Sequence, residues 1–392
     1  MSVSDRKITV VHIITKLELG GAQQNTLYTV EHLDRGKFNV VLITASEGYL
    51  LNRALKIKNL DLYLIDELQR EINPIKDYGA FKKIQKILKF KSESIGKQNM
   101  IIHTHSSKAG ILGRWAAYLS GIAHIIHTFH GFGFNDYQPF ITKKFYIFLE
   151  RITAKITSKF IVVSNSNREK AIRLGIGDND KFHLIRSGIR IEDYSRNVLS
   201  REEARNFFSL EKNAPIIGAI SCFKPQKDLI TFVRAAKKIS DEIPEARFIV
   251  AGDGDMRNAI EEEIKKLSLE KKFTLLGWTE NTSALLCAID VLLHTALWEG
   301  LPRVLVEAAA SGVPIVATNI DGNCEIVKDG TNGFLVSPRD YEDMAKKVCR
   351  ILKDKELHKR LSQNQNSIDK TFHIDEMVKM QEELYLSIMN HY

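Results

Sequence analysis

Two carboxylates, Glu299 and Glu307, stand eight positions apart in ALWEGLPRVLVEAAASGVPIVAT, residues 296–318, a stretch that is otherwise largely apolar. The runs around them, IDVLLHT (289–295) and PIVAT (314–318), have the composition of buried strands. Pro302 suits a first helical position, and Gly312 followed by Pro314 suits a helix end. The unit reads as strand, loop, short helix, strand, a right-handed crossover in a parallel sheet. Glu299 then falls in the loop at the carboxyl end of a strand, where open α/β sheets bind ligands. Glu307 falls about a turn and a half into the helix. The helix start between them offers free N–H groups and a positive dipole end, which together make an anion site. An anion flanked by two hydroxyl-binding carboxylates describes a nucleotide sugar. A plain preference of acids for helix starts accounts for Glu299 but not for Glu307, which lies among Leu305, Val306, Ala308, Ala309 and Ala310.

Other candidates also follow strand-like runs. In AISCFKPQKDLITFVRAAKK (219–238), Lys224 and Lys227 flank the turn into a helix, where a diphosphate would meet ammonium groups and helix N–H groups. Gly252 and Gly254 of AGDGDMR (251–257) admit either a close ligand approach or a tight turn. Trp278 in LGWTENTS (276–283) opens a loop able to clamp a base edge. Nearer the N-terminus, Gly20 and Gly21 of KLELGGAQQN (16–25) would bring backbone against a phosphate or sugar at the next helix start. The GxGxxG fingerprint is absent, which disfavours a nicotinamide enzyme. IIHTHSSKAG and IIHTFHGFGF supply His103, His105, His127 and His130. On strands, His103 and His105 share a face while His127 and His130 oppose each other, so no metal site is expected. His105 and His130 read as polar histidines at the mouth of a cleft, with Lys108 beside them on the acceptor side. His103 and His127 read as residues within the sheet.

These residues need a scaffold of alternating strands and helices, and the chain has one. Six strand-like runs (8–15, 39–45, 62–66, 100–105, 124–130, 159–164) alternate with amphipathic stretches in the first half. A linker, RSGIRIEDYSRN (186–197), precedes five more (215–223, 246–254, 273–278, 289–295, 314–318). At 392 residues the chain suits two domains, with 44% hydrophobic and 27% charged residues typical of globular proteins. The expectation is two Rossmann-like, doubly wound parallel sheets facing a cleft: 1–188, 189–372, and a terminal helical segment 373–392. MSVSDRKITVVHIIT runs straight into a strand, no apolar run approaches a membrane span, and four scattered cysteines form no CxxC pair, so a cytoplasmic chain is expected. The net charge of +8 is uneven: residues 1–190 hold 29 Lys+Arg against 16 Asp+Glu, and the remainder 27 against 32. A basic first half suits an anionic partner. Its densest stretch, GAFKKIQKILKFK (79–91), reads as a helix packing one face on its own domain, or as a membrane-surface helix. No recognised module or aromatic pattern supports nucleic-acid binding.

Taken together, GGAQ, HTHSSKAG, HTFHGF, the RSGI linker, PQKD, AGDG, LGW and above all EGLPRVLVEA resemble family 4 of the glycosyltransferases, and of these the bacterial cell-surface polysaccharide type. The resemblance covers nearly the whole chain and implies the GT-B fold, with the terminal helix crossing back to the first domain. It implies a retaining, metal-independent enzyme without cofactor, moving a sugar from a nucleoside-diphosphate donor, UDP-linked, to a polyprenyl-linked or saccharide acceptor at the inner membrane face. By the same resemblance Glu299 contacts donor hydroxyls and Glu307 the ribose, in a Glu-x7-Glu motif. The amides of Leu301 to Val304, thus Gly300-Leu301-Pro302-Arg303-Val304, hold the diphosphate, Lys227 neutralises it, and His130 lies beside the reacting sugar. The family usually carries an arginine where this chain has Cys222, with Lys224 as the available replacement charge, and its commonest acidic motif differs from Leu301-Pro302-Arg303. Two rival functions share these residues: a sugar-nucleotide epimerase of the same fold, and a catalytically silent partner subunit.

Overall fold

The computed structural model describes residues 7–194, 199–363 and 368–390. The last residues of the expected linker, 195–197, and the final two of the expected terminal helix lie outside them. The chain divides into two units, Met1–Gly188 with Ile374–Tyr392, and Ile189–His373.

In the first unit the strands are β1 (Ile8–Ile13), β2 (Phe38–Thr44), β3 (Leu60–Leu64), β4 (Met100–His105), β5 (His124–Phe129), β6 (Lys159–Val162) and β7 (Phe182–Leu184). Their spatial order is β3-β2-β1-β4-β5-β6-β7, and every pairing is parallel. Strand alternation sends neighbouring residues to opposite faces. Val10, Val40 and Ile101 join one core with Leu27 and the C-terminal helix residues Met377, Leu384 and Tyr385. Val11, Val41 and Ile102 join another with Ala80, Ile84, Leu88 and Ala116. The lysine-rich stretch thus forms part of a helix, Pro74–Ile95, that buries Ala80, Ile84, Leu88 and Ser92 against its own sheet. The C-terminal helix, Ile374–Asn390, covers the opposite face.

The second unit repeats the plan with β8 (Ile216–Ile220), β9 (Arg247–Ala251), β10 (Phe273–Gly277), β11 (Val291–His294), β12 (Ile315–Thr318) and β13 (Gly333–Val336). Their order is β10-β9-β8-β11-β12-β13, again all parallel. In each sheet the order reverses once, between β1 and β4 and between β8 and β11. Crevices outside the carboxyl ends of strands at such a reversal are where open sheets take ligands. Strands β7 and β13, three and four residues long, were not among the expected runs. Several expected strands also end early, as β1 does at Ile13, because their carboxyl ends peel into loops.

Candidate active site

The second unit assembles its site from three loops around the β8–β11 reversal. After β8 the chain forms a short 3-10 turn, Pro225–Lys227, then places Asp228 in the left-handed region at φ 45° to enter the helix Leu229–Glu242. The loop after β11 is stitched to that turn. The Thr295 hydroxyl donates to the Lys227 carbonyl (2.8 Å), the Leu297 N–H to the Gln226 carbonyl (2.8 Å), and the Gln226 amide to the Trp298 carbonyl (2.7 Å). From the loop after β12, Asp321 accepts the Glu299 N–H at 3.0 Å. Gly322 lies so close that a Cβ would sit 2.2 Å from the Gly300 carbonyl oxygen.

Held this way, the Glu299 carboxylate pairs with the Lys227 ammonium and lies 3.3 Å from His294 Nε2. Burial opposes its charge, but Lys227 and His294 overcome burial and hold its pKa down at about 2. Burial likewise opposes the Lys227 charge, and Glu299 more than offsets it, so the lysine pKa is raised. Lys227 therefore orders Glu299 as well as lending positive charge to the loop. The helix Arg303–Ser311 follows, with Pro302 as its N-cap rather than its first residue, and Glu307 on its buried side. Burial raises the Glu307 pKa, which Arg303 and a Tyr194 hydrogen bond only partly offset. Arg303 Nη2 lies 3.5 Å from Glu307, which assigns that arginine a partner within the motif. Gly300, Leu301 and Val304 are buried beside it. Lys224 caps the 3-10 turn, half-buried, and Trp278 is 46% exposed at the end of β10.

Gly252 and Gly254 receive a structural explanation. Both have positive φ, and a Cβ would lie 1.9 Å from the Ser221 carbonyl oxygen or 2.7 Å from that of Phe223. The loops after β8 and β9 are packed backbone to backbone, so the glycines are required there without any ligand.

In the first unit Gly20 caps the helix Gly21–His32 in extended conformation. Around the β1–β4 reversal a chain of imidazoles, buried at His12 and His105 and half-buried at His130, runs from His12 Nδ1 to His105 Nε2 (3.1 Å) and from His105 Nδ1 to His130 Nε2 (3.2 Å). His103 joins Tyr385 and Thr128, and His127 joins Thr104. His103 and His127 thus sit within the sheet as expected, but His105 is only 2% exposed and not at a mouth. It shares a strand face with His103, and the C-terminal helix covers that face. His127 and His130 lie on opposite faces as alternation expects: His130 shares with Thr128 the face of His103 and His105, whereas His127 bonds Thr104 on the other. Lys108 is committed to Asp77, 2.6 Å away, instead of being presented to an acceptor.

Burial pushes the pKa of His12 down to about 3 and that of His130 to about 4, and lowers His105 well below its usual value, so the chain is neutral. Each neutral ring has one N–H. Either His12 donates to His105 and His105 to His130, or both bonds reverse. His130 Nδ1 is then a donor or an acceptor without any change of charge. His12, His103 and His105 bring nitrogens within 4.8 Å of one another, close enough to hold a metal ion. Both nitrogens of His103 and of His105 are already hydrogen-bonded, however, so these residues fit a neutral network better than a metal. A cavity of about 10 Å³, the size of one water, is lined by Asn25, His105, His130 and Gln381 among others.

Sequence reading missed His12, Tyr194, Gln226, His294 and Asp321. His12 and His294 had a signal, as lone polar residues in apolar strands, whereas the others act through loop contacts that sequence does not reveal.

Two parallel sheets, each with one reversal and a polar site at it, define a two-unit, doubly wound α/β architecture. Comparisons agree. The glycosyl transferases group 1 model matches residues 200–367, and the glycosyltransferase family 4 model matches residues 19–193. The chain is 30% identical over 392 residues, 99% of both chains, to the UDP-Gal:alpha-D-GlcNAc-diphosphoundecaprenol alpha-1,3-galactosyltransferase of Escherichia coli. It is 23% identical over 82% of its length, and 90% of the relative's, to the capsular polysaccharide biosynthesis glycosyltransferase CapM of Staphylococcus aureus. Among solved structures, HepE of Anabaena in complex with UDP and glucose superposes with a TM-score of 0.82 at 18% identity, covering 97% of this chain and 100% of that one. The chain belongs to family 4 of the glycosyltransferases, retaining enzymes of the GT-B fold.

Proposed function

We propose that this protein moves a hexosyl or N-acetylhexosaminyl group from a UDP-sugar to a polyprenyl-diphosphate-linked saccharide in the synthesis of a cell-surface polysaccharide, working at the inner membrane face. One observation carries the reading: two buried carboxylates, Glu299 held charged by Lys227 and Glu307 with Arg303, bracket a helix N-terminus at the β8–β11 reversal. The lipid-linked acceptor is supported by the Escherichia coli relative, whose name specifies UDP-Gal and an undecaprenol diphosphate.

In this reading the helix start, Lys224 and Lys227 stabilise the departing diphosphate, Glu299 takes donor-sugar hydroxyls, Glu307 takes the ribose, and His130 lies at the reacting sugar. The bond from the anomeric carbon to the β-phosphate oxygen breaks, and its electron pair leaves with UDP. The acceptor oxygen bonds on the same face, and its proton passes to the departing phosphate oxygen. Ammonium groups and backbone dipoles supply the stabilisation, so activity is expected to survive a chelator.

The test incubates the protein with UDP-galactose and other UDP-sugars, with and without N-acetylglucosaminyl-diphosphate-undecaprenol, following UDP release and the product's anomeric configuration. Acceptor-dependent release and an α-linked product support the proposal. Release of UDP and free sugar without acceptor indicates an epimerase, and no turnover or UDP binding with any donor indicates a silent subunit.

A further inference from the structure

We infer that the outward face of the helix Phe140–Ala154 is the surface by which this protein docks on an anionic lipid bilayer. The inference rests on the membrane-facing function proposed above, and it assigns that role to a helix other than the lysine-rich one.

This helix buries Ile147, Glu150, Thr153 and Ala154. It is clamped to the helix Ser107–Tyr118 by the buried Arg114–Glu150 pair at 2.7 Å and by the Trp115 indole N–H donating to Thr153 at 3.0 Å. The clamp fixes what faces solvent: Phe140, Ile141, Phe145 and Phe148, exposed by 72%, 81%, 54% and 58%. At about 100° per residue these four fall within an arc of about 140°, and Lys144 and Arg151 lie in the same arc. A cluster of exposed aromatic and aliphatic side chains on one helix marks an interaction surface, since scattered ones need no explanation but grouped ones do.

Charge selects the partner. The helix's one acid, Glu150, is turned inward onto Arg114, and Lys144 stands 5.1 Å from the centre of the Phe140 ring. Its stem can lie along apolar surface while its ammonium reaches a phosphate layer. Just past the helix, Lys155 lines a cavity of about 600 Å³ together with Lys159 and Lys181, so positive charge continues beyond the last turn. Apolar residues rimmed by cations suit an interface with anionic lipid. The same face against a second copy would set Lys144 and Arg151 against like charges.

The lysine-rich helix Pro74–Ile95 fits this role less well. Its apolar stripe is buried, and Lys83 and Lys91 are paired with Glu67 and Asp61, each at 2.6 Å. Its exposed Ile75 and Tyr78 sit near its first turn and Phe90 lies roughly 18 Å beyond Tyr78, so they form no single cluster.

The experiment uses the full chain with phosphatidylglycerol-rich and pure phosphatidylcholine vesicles at low salt. Wild type should float with the former and not the latter. Phe145→Glu combined with Phe148→Glu should weaken flotation at least tenfold without changing melting temperature, whereas Lys82, Lys83, Lys86 and Lys89→Gln should retain most of it. In a separate Phe145→Trp variant, lacking the glutamates, emission of the introduced indole should shift to the blue and be quenched by brominated lipid. Unchanged flotation of the double variant, or an unquenched indole in protein that does bind vesicles, would overturn the assignment. So would loss of a dimer in the double variant by sedimentation, which would make the face a self-association surface. UDP affinity, measured without vesicles, is unaffected by failure of this surface and reports separately on the proposed transfer site.

Discussion

Glu299 and Glu307 look alike in sequence and differ in chemistry. Glu299 is held ionised by Lys227, whereas burial raises the pKa of Glu307. Glu299→Gln therefore leaves a largely buried lysine without its partner and should cost about 1–3 kcal/mol of stability, the usual range for a hydrogen bond to a charged group. It should slow sugar transfer and blur donor choice while leaving free UDP affinity nearly unchanged. Glu307→Gln removes a charge that burial disfavours, so its melting temperature should hold. Its affinity for UDP alone should fall by about 5- to 150-fold, again about 1–3 kcal/mol. Calorimetric titration with UDP beside melting curves separates the two. Normal UDP binding by both variants would reduce the eight-residue spacing to a helix preference.

At the scale of elements, the loops after the strands are held by backbone proximity more than by side chains. A Cβ at position 322 would come within 2.2 Å of the Gly300 carbonyl oxygen, whereas Lys227 and Thr295 are joined by an ordinary hydrogen bond. Gly322→Ala should thus displace the loop carrying Glu299 and lower transfer at least tenfold, while Thr295→Val, which removes only that one hydrogen bond, should cost roughly 1 kcal/mol in stability. Comparing melting temperature and turnover for the pair tests this, and a fully active Gly322→Ala variant would show that the loop yields. The Glu299–Glu307 helix was legible in outline because Pro302, Gly312 and Pro314 mark its ends. Its capping residue was not, since Pro302 stands one position outside the helix, a difference only backbone dihedrals reveal.

Over the whole molecule, the two units answer acid differently. Burial lowers the pKa of His12, His103, His105, His127 and His130 below the ordinary 6.5, all in the first unit. In the second, His294 is the histidine so affected among the described residues. Below about pH 6.5 the unfolded chain binds more protons than these buried rings, so stability is present above that pH and is lost as pH falls toward about 4. Calorimetry between pH 7.5 and 5 should show the first unit's transition falling faster than the second's, and equal shifts would contradict the neutral histidine network.

The alternation of apolar runs and amphipathic stretches determined the α/β class, the repeated plan and the Glu299–Glu307 loop, because burial on both sheet faces writes itself into local composition. The short strands β7 and β13 were not among the runs so read. The company each polar residue keeps left no such mark. His105 was expected at an opening and is sealed beneath the C-terminal helix, Lys108 was expected to be available and is tied to Asp77, and Gly252 and Gly254 serve loop packing. The solvent-facing aromatics of Phe140–Ala154 emerged only once Arg114 and Glu150 fixed which side of that helix turns inward. A sequence carries the periodicity of its own segments, but which face is covered, and by what, depends on residues hundreds of positions away, such as Tyr385 on His103.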